Sequence, residues 1–298
     1  MSKSIFKTTA SYPNLRNWLS LGVLALVWGS SFILIKRGLE VYSPIQVGAL
    51  RIGISAIAFL PVFILQIRKI NWSKWKVFLA VGLTGSGIPA FLFPLAQTHI
   101  SSAMTGVLNS LTPLFTLLLG LVFFSRRFKS NKLFGVLVGF SGAVLLVFGG
   151  NSGGGQSSIW YSLIAVAATV CYGTSVNIVG KYLKDTGSLI ISAVSFVFVG
   201  FPALGILFST DFVEVLRTHE QGMDAFFYIS ILSLGGTVLA SLLFYQLVHW
   251  TSPVFSASVA YIIPLVAILW GVFDGEALNY YHLISAALII GGLYLTKD

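Results

Sequence analysis

Residues 18–35, WLSLGVLALVWGSSFILI, run without a single charged side chain. A hydrocarbon core of about 30 Å needs roughly 20 apolar residues of helix, so this stretch, carried on to residue 37, is long enough to cross a bilayer. A short basic leader with Lys3, Lys7 and Arg16 precedes it. A cleavable signal has an apolar region of only about 7–15 residues and a small-residue cleavage site. The run at 18–35 is longer than that, and it reads as a retained first helix.

The same reading repeats outward along the chain. Further spans fall at 44–66, 75–97, 101–124 and 132–150, then at 159–180, 188–209, 225–248, 253–273 and 279–296. Of the 298 residues, 56% are hydrophobic and 9% charged, with mean hydropathy +0.90; soluble chains hold roughly 45–50% apolar and about 25% charged residues. No soluble core absorbs that surplus, and the fold class is an all-α polytopic membrane protein of about ten transmembrane helices. Residues 1–17 form an N-terminal leader and 18–150 a first five-helix unit. The Gly/Ser-rich residues 151–158, NSGGGQSS, form a linker, and 159–298 a second five-helix unit.

Lysines and arginines near helix ends set the orientation. With the N-terminus inside, the cytoplasmic side receives Arg68, Lys69, Lys74, Lys76, Arg126, Arg127, Lys129, Lys132, Lys181, Lys184 and Lys297 besides the leader's three, while the outer side keeps only Lys36, Arg37 and Arg217. Nine or eleven spans would put later basic loops on the wrong face, so both termini are expected in the cytoplasm. The net charge of +9 then reflects topology and anionic lipid headgroups, and the lipid bilayer rather than nucleic acid is the expected partner.

Two internal matches suggest a repeat. Trp28-Gly29-Ser30-Ser31 stands beside Tyr172-Gly173-Thr174-Ser175 at an offset of 144 residues, and Ser110-Leu111-Thr112-Pro113-Leu114 beside Tyr261-Ile262-Ile263-Pro264-Leu265 at 151. Five spans per half is an odd number, so the second half enters the membrane from the opposite side. Such inverted repeats underlie alternating access in many secondary transporters.

The chain resembles the drug/metabolite transporter superfamily, specifically its EamA-like members, over nearly its whole length. The likeness is carried by Trp28-Gly29-Ser30-Ser31-Phe32, Arg51, Ser101-Ser102-Ala103, Pro113, Pro264 and Glu276. The resemblance implies two five-helix repeats around a central cavity lined by the first four helices of each half. The fifth and tenth helices would be peripheral and available for a homodimer contact. Inner-membrane location and transport rather than catalysis are implied with it. Two departures stand out: the family's acidic residue after span four falls near Ser125, and Ser195 stands where the second half would match Arg51.

Among candidate site residues, Arg51 lies about 10 Å past Pro44 at 1.5 Å per residue, and a charge at that depth is costly unless paired or wetted. It either lines the pathway to receive a carboxylate or phosphate, or ties to backbone carbonyls and snorkels outward. Trp28, Tyr172, Tyr245 and Tyr261 offer aromatic walls, and Ser30, Ser31, Gln97, Asn109, Asn177 and Gln246 polar edges, for a polar organic substrate. Plain helix packing is the alternative for each. Pro113 and Pro264 each remove a mid-helix hydrogen bond and read as paired kinks. No acidic residue lies mid-span, which leaves His99 and His249, near the short junctions, as the residues for any proton linkage; an interfacial role is the alternative.

Neither a catalytic arrangement nor a metal-binding or phosphate-binding motif appears, and no cofactor is implied. The single Cys171 allows no intrachain disulfide. The expected function is secondary transport or export of small polar metabolites such as amino acids. A sugar or nucleotide-sugar carrier of the same superfamily, or a non-transporting scaffold or enzyme, is the alternative.

Overall fold

The structure, a computed structural model, describes residues 14–124, 130–149, 155–251, 259–276 and 278–295. The side chains of Tyr245, His249 and Tyr261 lie outside the described residues. The described residues are helical and contain no strand.

Helix α1 (Leu15–Gly29) leads through Ser30 into α2 (Ser31–Leu39), together a 25-residue span. Helix α3 (Pro44–Gln66) starts at a capping box: Ser43 Oγ accepts from the Gln46 N–H at 3.3 Å and the Gln46 side chain accepts from the Ser43 N–H at 2.9 Å. Helices α4 (Trp75–Gly82) and α5 (Ile88–Gln97) are joined by a π-helical stretch, Leu83–Gly87. Helices α6 (Ser102–Asn109) and α7 (Thr112–Phe123) make the next span, broken at Ser110 and Leu111. Then come α8 (Ser130–Gly149), α9 (Gly155–Tyr182), α10 (Ser188–Phe208) and the short α11 (Phe212–Thr218).

A second π-helical stretch, Leu232–Leu239, joins α12 (Gly222–Ile231) to α13 (Ala240–Trp250). Helices α14 (Val259–Phe273) and α15 (Tyr280–Leu295) complete the order. Among the described residues, seven stretches are long and apolar enough to cross a membrane: Leu15–Leu39, Pro44–Lys69, Trp72–Gln97, Ser102–Phe123, Ile159–Tyr182, Ser188–Phe208 and Gly222–Phe244. Phe134–Phe148, Ile262–Phe273 and Tyr280–Gly292 are apolar but shorter.

Small residues let the helices approach closely, the usual basis of packing where lipid supplies no hydrophobic drive. Helices α3 and α10 pack along their lengths, and a methyl group on Gly200 would lie 2.0 Å from the Ala56 methyl. Helices α8 and α15 pack chiefly on each other. Their outward faces expose Phe134, Leu137, Leu283 and Ile284. Elsewhere too the bundle exposes large apolar side chains such as Leu65, Phe201 and Phe273, a surface suited to lipid contact rather than water.

Both ends of the bundle are marked by polar ties. At one end the Tyr42 hydroxyl donates to the Gly222 carbonyl at 2.6 Å and Gln46 Nε2 to Asp211 at 2.8 Å. This joins the start of α3 to the end of α10 and the start of α12. Burial pushes the Tyr42 phenol up to about 12, so it remains a donor at physiological pH. At the other end the Arg16 guanidinium lies 3.8 Å over the Trp250 ring, and Lys74 Nζ donates to the Tyr182 carbonyl at 2.8 Å.

A candidate substrate site at mid-span

A π turn holds more residues than an α turn and disturbs the regular i to i−4 ladder, which is why such turns recur at functional sites. In the Leu232–Leu239 stretch the Trp28 indole N–H donates to the Gly236 carbonyl at 2.9 Å. Its ring lies 5.4 Å from that of Phe244. Ser31, whose hydroxyl donates to the Val27 carbonyl, sits so close that a methyl group on Gly236 would come within 3.1 Å of its oxygen.

From α3, Arg51 Nε reaches the Thr237 hydroxyl at a long 3.4 Å, and the Tyr172 hydroxyl of α9 is a second neighbour of the guanidinium. One turn on, Ser55 donates to the Arg51 carbonyl at 2.8 Å and lies 3.5 Å from that of Ser233. The Tyr172 ring is 5.8 Å from Phe93, which is 5.9 Å from Phe32. Three of the sequence candidates, Trp28, Ser31 and Arg51, thus meet the π stretch, and Tyr172 joins them through Arg51. The sequence reading missed Thr237 and Ser233, whereas Gly236 reads in the sequence as a glycine that permits close helix approach; the Gly235-Gly236-Thr237 string was the one available signal.

The other candidates lie apart. Ser30 accepts from the Trp270 indole at 2.7 Å and donates to the Leu26 carbonyl. Asn177 is fully buried and its Nδ2 donates to the carbonyls of Thr116 and Gly173 at 2.8 and 2.9 Å. Both ends of the Gln97 carboxamide are buried without a partner. Asn109 is half-buried near the α6–α7 break, and Gln246 is exposed. His99 is exposed at the end of α5, stacked on Tyr161 at 3.7 Å with Thr98 Oγ1 2.7 Å from its Nδ1. Pro113 opens α7 just after the Ser110–Leu111 break, whereas Pro264 lies inside α14, which runs on through it.

A second polar centre sits at the end of the bundle that carries Tyr42. Helix α14 stops at Gly275, whose φ of +74° suits a residue without Cβ. The turn swings Glu276 back onto the start of α6. There its Oε1 accepts from the Ser102 N–H at 3.0 Å, the Ser102 hydroxyl at 2.7 Å and Lys36 Nζ at 3.0 Å, while Oε2 accepts from the Ala103 N–H at 3.0 Å. Ser101 Oγ takes the next N–H, that of Met104, at 3.1 Å, so the orphan donors of this helix start are filled.

Asp274 pairs with both Lys36 and Arg37, and Arg37 also with Glu40. Burial alone would raise the Glu276 carboxyl, yet the donors from Ala103, Ser102 and Lys36 hold it below the usual carboxylate range. One carboxylate therefore ties α2, α6 and the end of α14 together.

The model of the EamA-like transporter family matches this chain at residues 16–148 and again at 159–297. An "Uncharacterized transporter" of Archaeoglobus fulgidus is 23% identical, with 94% of this chain and 98% of that protein covered. The "Uncharacterized inner membrane transporter YedA" of Escherichia coli K12 is 23% identical over 93% of this chain and 89% of its own length. A "Probable amino-acid metabolite efflux pump" of Salmonella typhimurium is 25% identical, with 92% of each chain covered. One solved structure, 18% identical, is similar in fold with a TM-score of 0.63 over 95% of this chain and 96% of that one.

Proposed function

Since the chain belongs to the EamA-like transporter family, we propose that it moves small polar metabolites, amino acids among them, across the inner membrane by alternating access between two inverted five-helix halves. The observation that carries the site is the meeting of Trp28 with Gly236 and of Arg51 with Thr237 in the mid-span π stretch, with Tyr172 beside Arg51.

Matching contacts support the inverted halves. A methyl group on Gly29 would lie 3.1 Å from the Ile263 carbonyl, and one on Gly173 would lie 2.9 Å from the Thr116 N–H. The first contact joins α1 to α14 and the second joins α9 to α7, so each half lends its first helix to the other half's fourth. Likewise Ser31 lies against Gly236 and Ser175 against Gly85, each in or beside a π stretch. In this reading ten spans cross the membrane, both termini are cytoplasmic, and the Glu276 centre lies at the outer end.

The test is flux. Purified protein in liposomes is expected to accelerate exchange of labelled amino acids over empty vesicles; no acceleration across a broad panel of metabolites, with folded protein, favours the non-transporting scaffold instead. Trp28→Phe keeps the ring but leaves the Gly236 carbonyl without its donor, a loss of about 1–3 kcal/mol. Flux should drop several-fold while the helical circular-dichroism signal is retained. Wild-type flux in that variant removes Trp28 from the site.

A further inference from the structure

Arg51 is a permanent cation placed well inside a span, and its neighbours are neutral hydroxyls, Thr237 at 3.4 Å and Tyr172. The chain holds nine acidic residues. None lies in the middle of a span; Asp224 is on the first turn of α12 and is exposed. The ion pairs among the described residues all fall at residues 36–40 and 274–276, at one end of the bundle. A guanidinium at this depth is stable when an anion or water reaches it, and among the described residues the fold supplies hydroxyls around it but no anion.

We propose that Arg51, Tyr172 and Thr237 form the subsite for the carboxylate of the transported metabolite, so that the carrier selects substrates bearing a single free carboxylate and rejects cations. This rests on the transport reading and narrows it. Charge counting favours a carboxylate over a phosphate: one guanidinium neutralises one negative charge, whereas a phosphate monoester dianion or a nucleotide diphosphate leaves charge uncompensated in a low-dielectric site. Guanidinium offers a forked pair of N–H donors matched to the two carboxylate oxygens; the Tyr172 hydroxyl can add a donor, and Thr237, whose hydroxyl donates over a long 3.4 Å to the Leu232 carbonyl, can add another by turning from it. The amino end of a zwitterion meets no acid here. It is left to backbone carbonyls and water, so a substrate whose carboxylate is masked carries an uncompensated positive charge toward Arg51.

The experiment compares wild type, Arg51→Gln and Arg51→Lys in liposomes and in detergent. Probes are leucine, threonine and phenylalanine, their methyl esters, tetraphenylphosphonium and inorganic phosphate. Wild type is expected to move the free acids and to add nothing to the passage of the esters and tetraphenylphosphonium through protein-free vesicles. Arg51→Gln should lose at least tenfold of that flux with an unchanged circular-dichroism spectrum, and Arg51→Lys should keep part of it.

A parallel thermal-unfolding series separates this proposal from the transport reading. If no compound is moved but the free acids, unlike the esters, raise the wild-type melting temperature and not that of Arg51→Gln, the subsite stands and transport falls. Equal carrier-dependent handling of acid and ester, tetraphenylphosphonium flux above that of protein-free vesicles, stabilisation by phosphate alone, or undiminished flux in Arg51→Gln overturns the proposal. So does the absence of any stabilisation by the free acids together with an absence of flux.

Discussion

Glu276→Ala is expected to be the costliest single polar substitution, lowering the stability of the purified protein by about 3–5 kcal/mol, the usual cost of removing one partner from a buried ionic group. The side chain is only 5% exposed. Without it the N–H groups of Ser102 and Ala103 lose their acceptor, the Ser102 hydroxyl loses its partner, and Lys36 keeps only Asp274. Glu276→Gln retains one acceptor oxygen and should fall between alanine and wild type. Thermal unfolding in detergent checks the order; an alanine variant that melts within a degree of wild type would remove the tie between α2, α6 and α14.

The pH dependence of that tie follows from the lowered carboxyl of Glu276. The denatured glutamate takes up its proton near the ordinary value of about 4.3, while the folded one resists until the pH is lower. Its stabilising contribution is therefore complete above the ordinary value and is lost as the pH falls through the folded one. Wild type should lose stability through that acidic window faster than Glu276→Gln, which has no proton to take up there. Parallel pH curves for the two proteins would contradict this assignment.

The largest packing effect is expected at Gly292. A Cβ built there would sit 2.4 Å from the Gly139 nitrogen and 2.5 Å from the Gly135 oxygen, both backbone atoms that no rotamer change can move. Gly292→Val therefore has to force α8 and α15 apart; the typical cost of overpacking is about 1–3 kcal/mol, and the backbone collision places this variant at or above its upper end. Gly291, one residue earlier on the same helix, has nothing within 4 Å of its own Cβ position. Gly291→Ala should be tolerated or gain slightly from helix propensity, about 1 kcal/mol at most. Monodisperse yield and melting temperature distinguish the pair, and equal behaviour would show that the close approach is not needed.

The long spans are legible in the sequence because hydrocarbon thickness imposes its length on any helix that crosses it. The depth of Arg51 is legible for the same reason. Its neighbours are not: Thr237 lies 186 positions away, and only the folded bundle brings it near. The two π stretches leave no trace in apolar spacing, because a span surrounded by lipid and protein is apolar all round and carries little helical periodicity to interrupt.

Glu276 drew notice only through a family likeness, and Lys36 only as a marker of orientation. Their meeting depends on Gly275 turning the chain back. Pro113 and Pro264 occupy matching places in the sequence, yet a helix breaks beside the first and runs on through the second. The local cost of proline is fixed by its ring, but whether the chain breaks is decided by what surrounds it.

The π stretches at Leu83–Gly87 and Leu232–Leu239 lie inside the spans Trp72–Gln97 and Gly222–Phe244. A widened turn of this kind is slack wound into a rod. Taking it up rotates everything beyond it by a notch, without parting the chain of hydrogen bonds on either side. Trp28 holds one of these coils by the Gly236 carbonyl, so the side chain proposed to line the substrate path also limits how far that coil can turn.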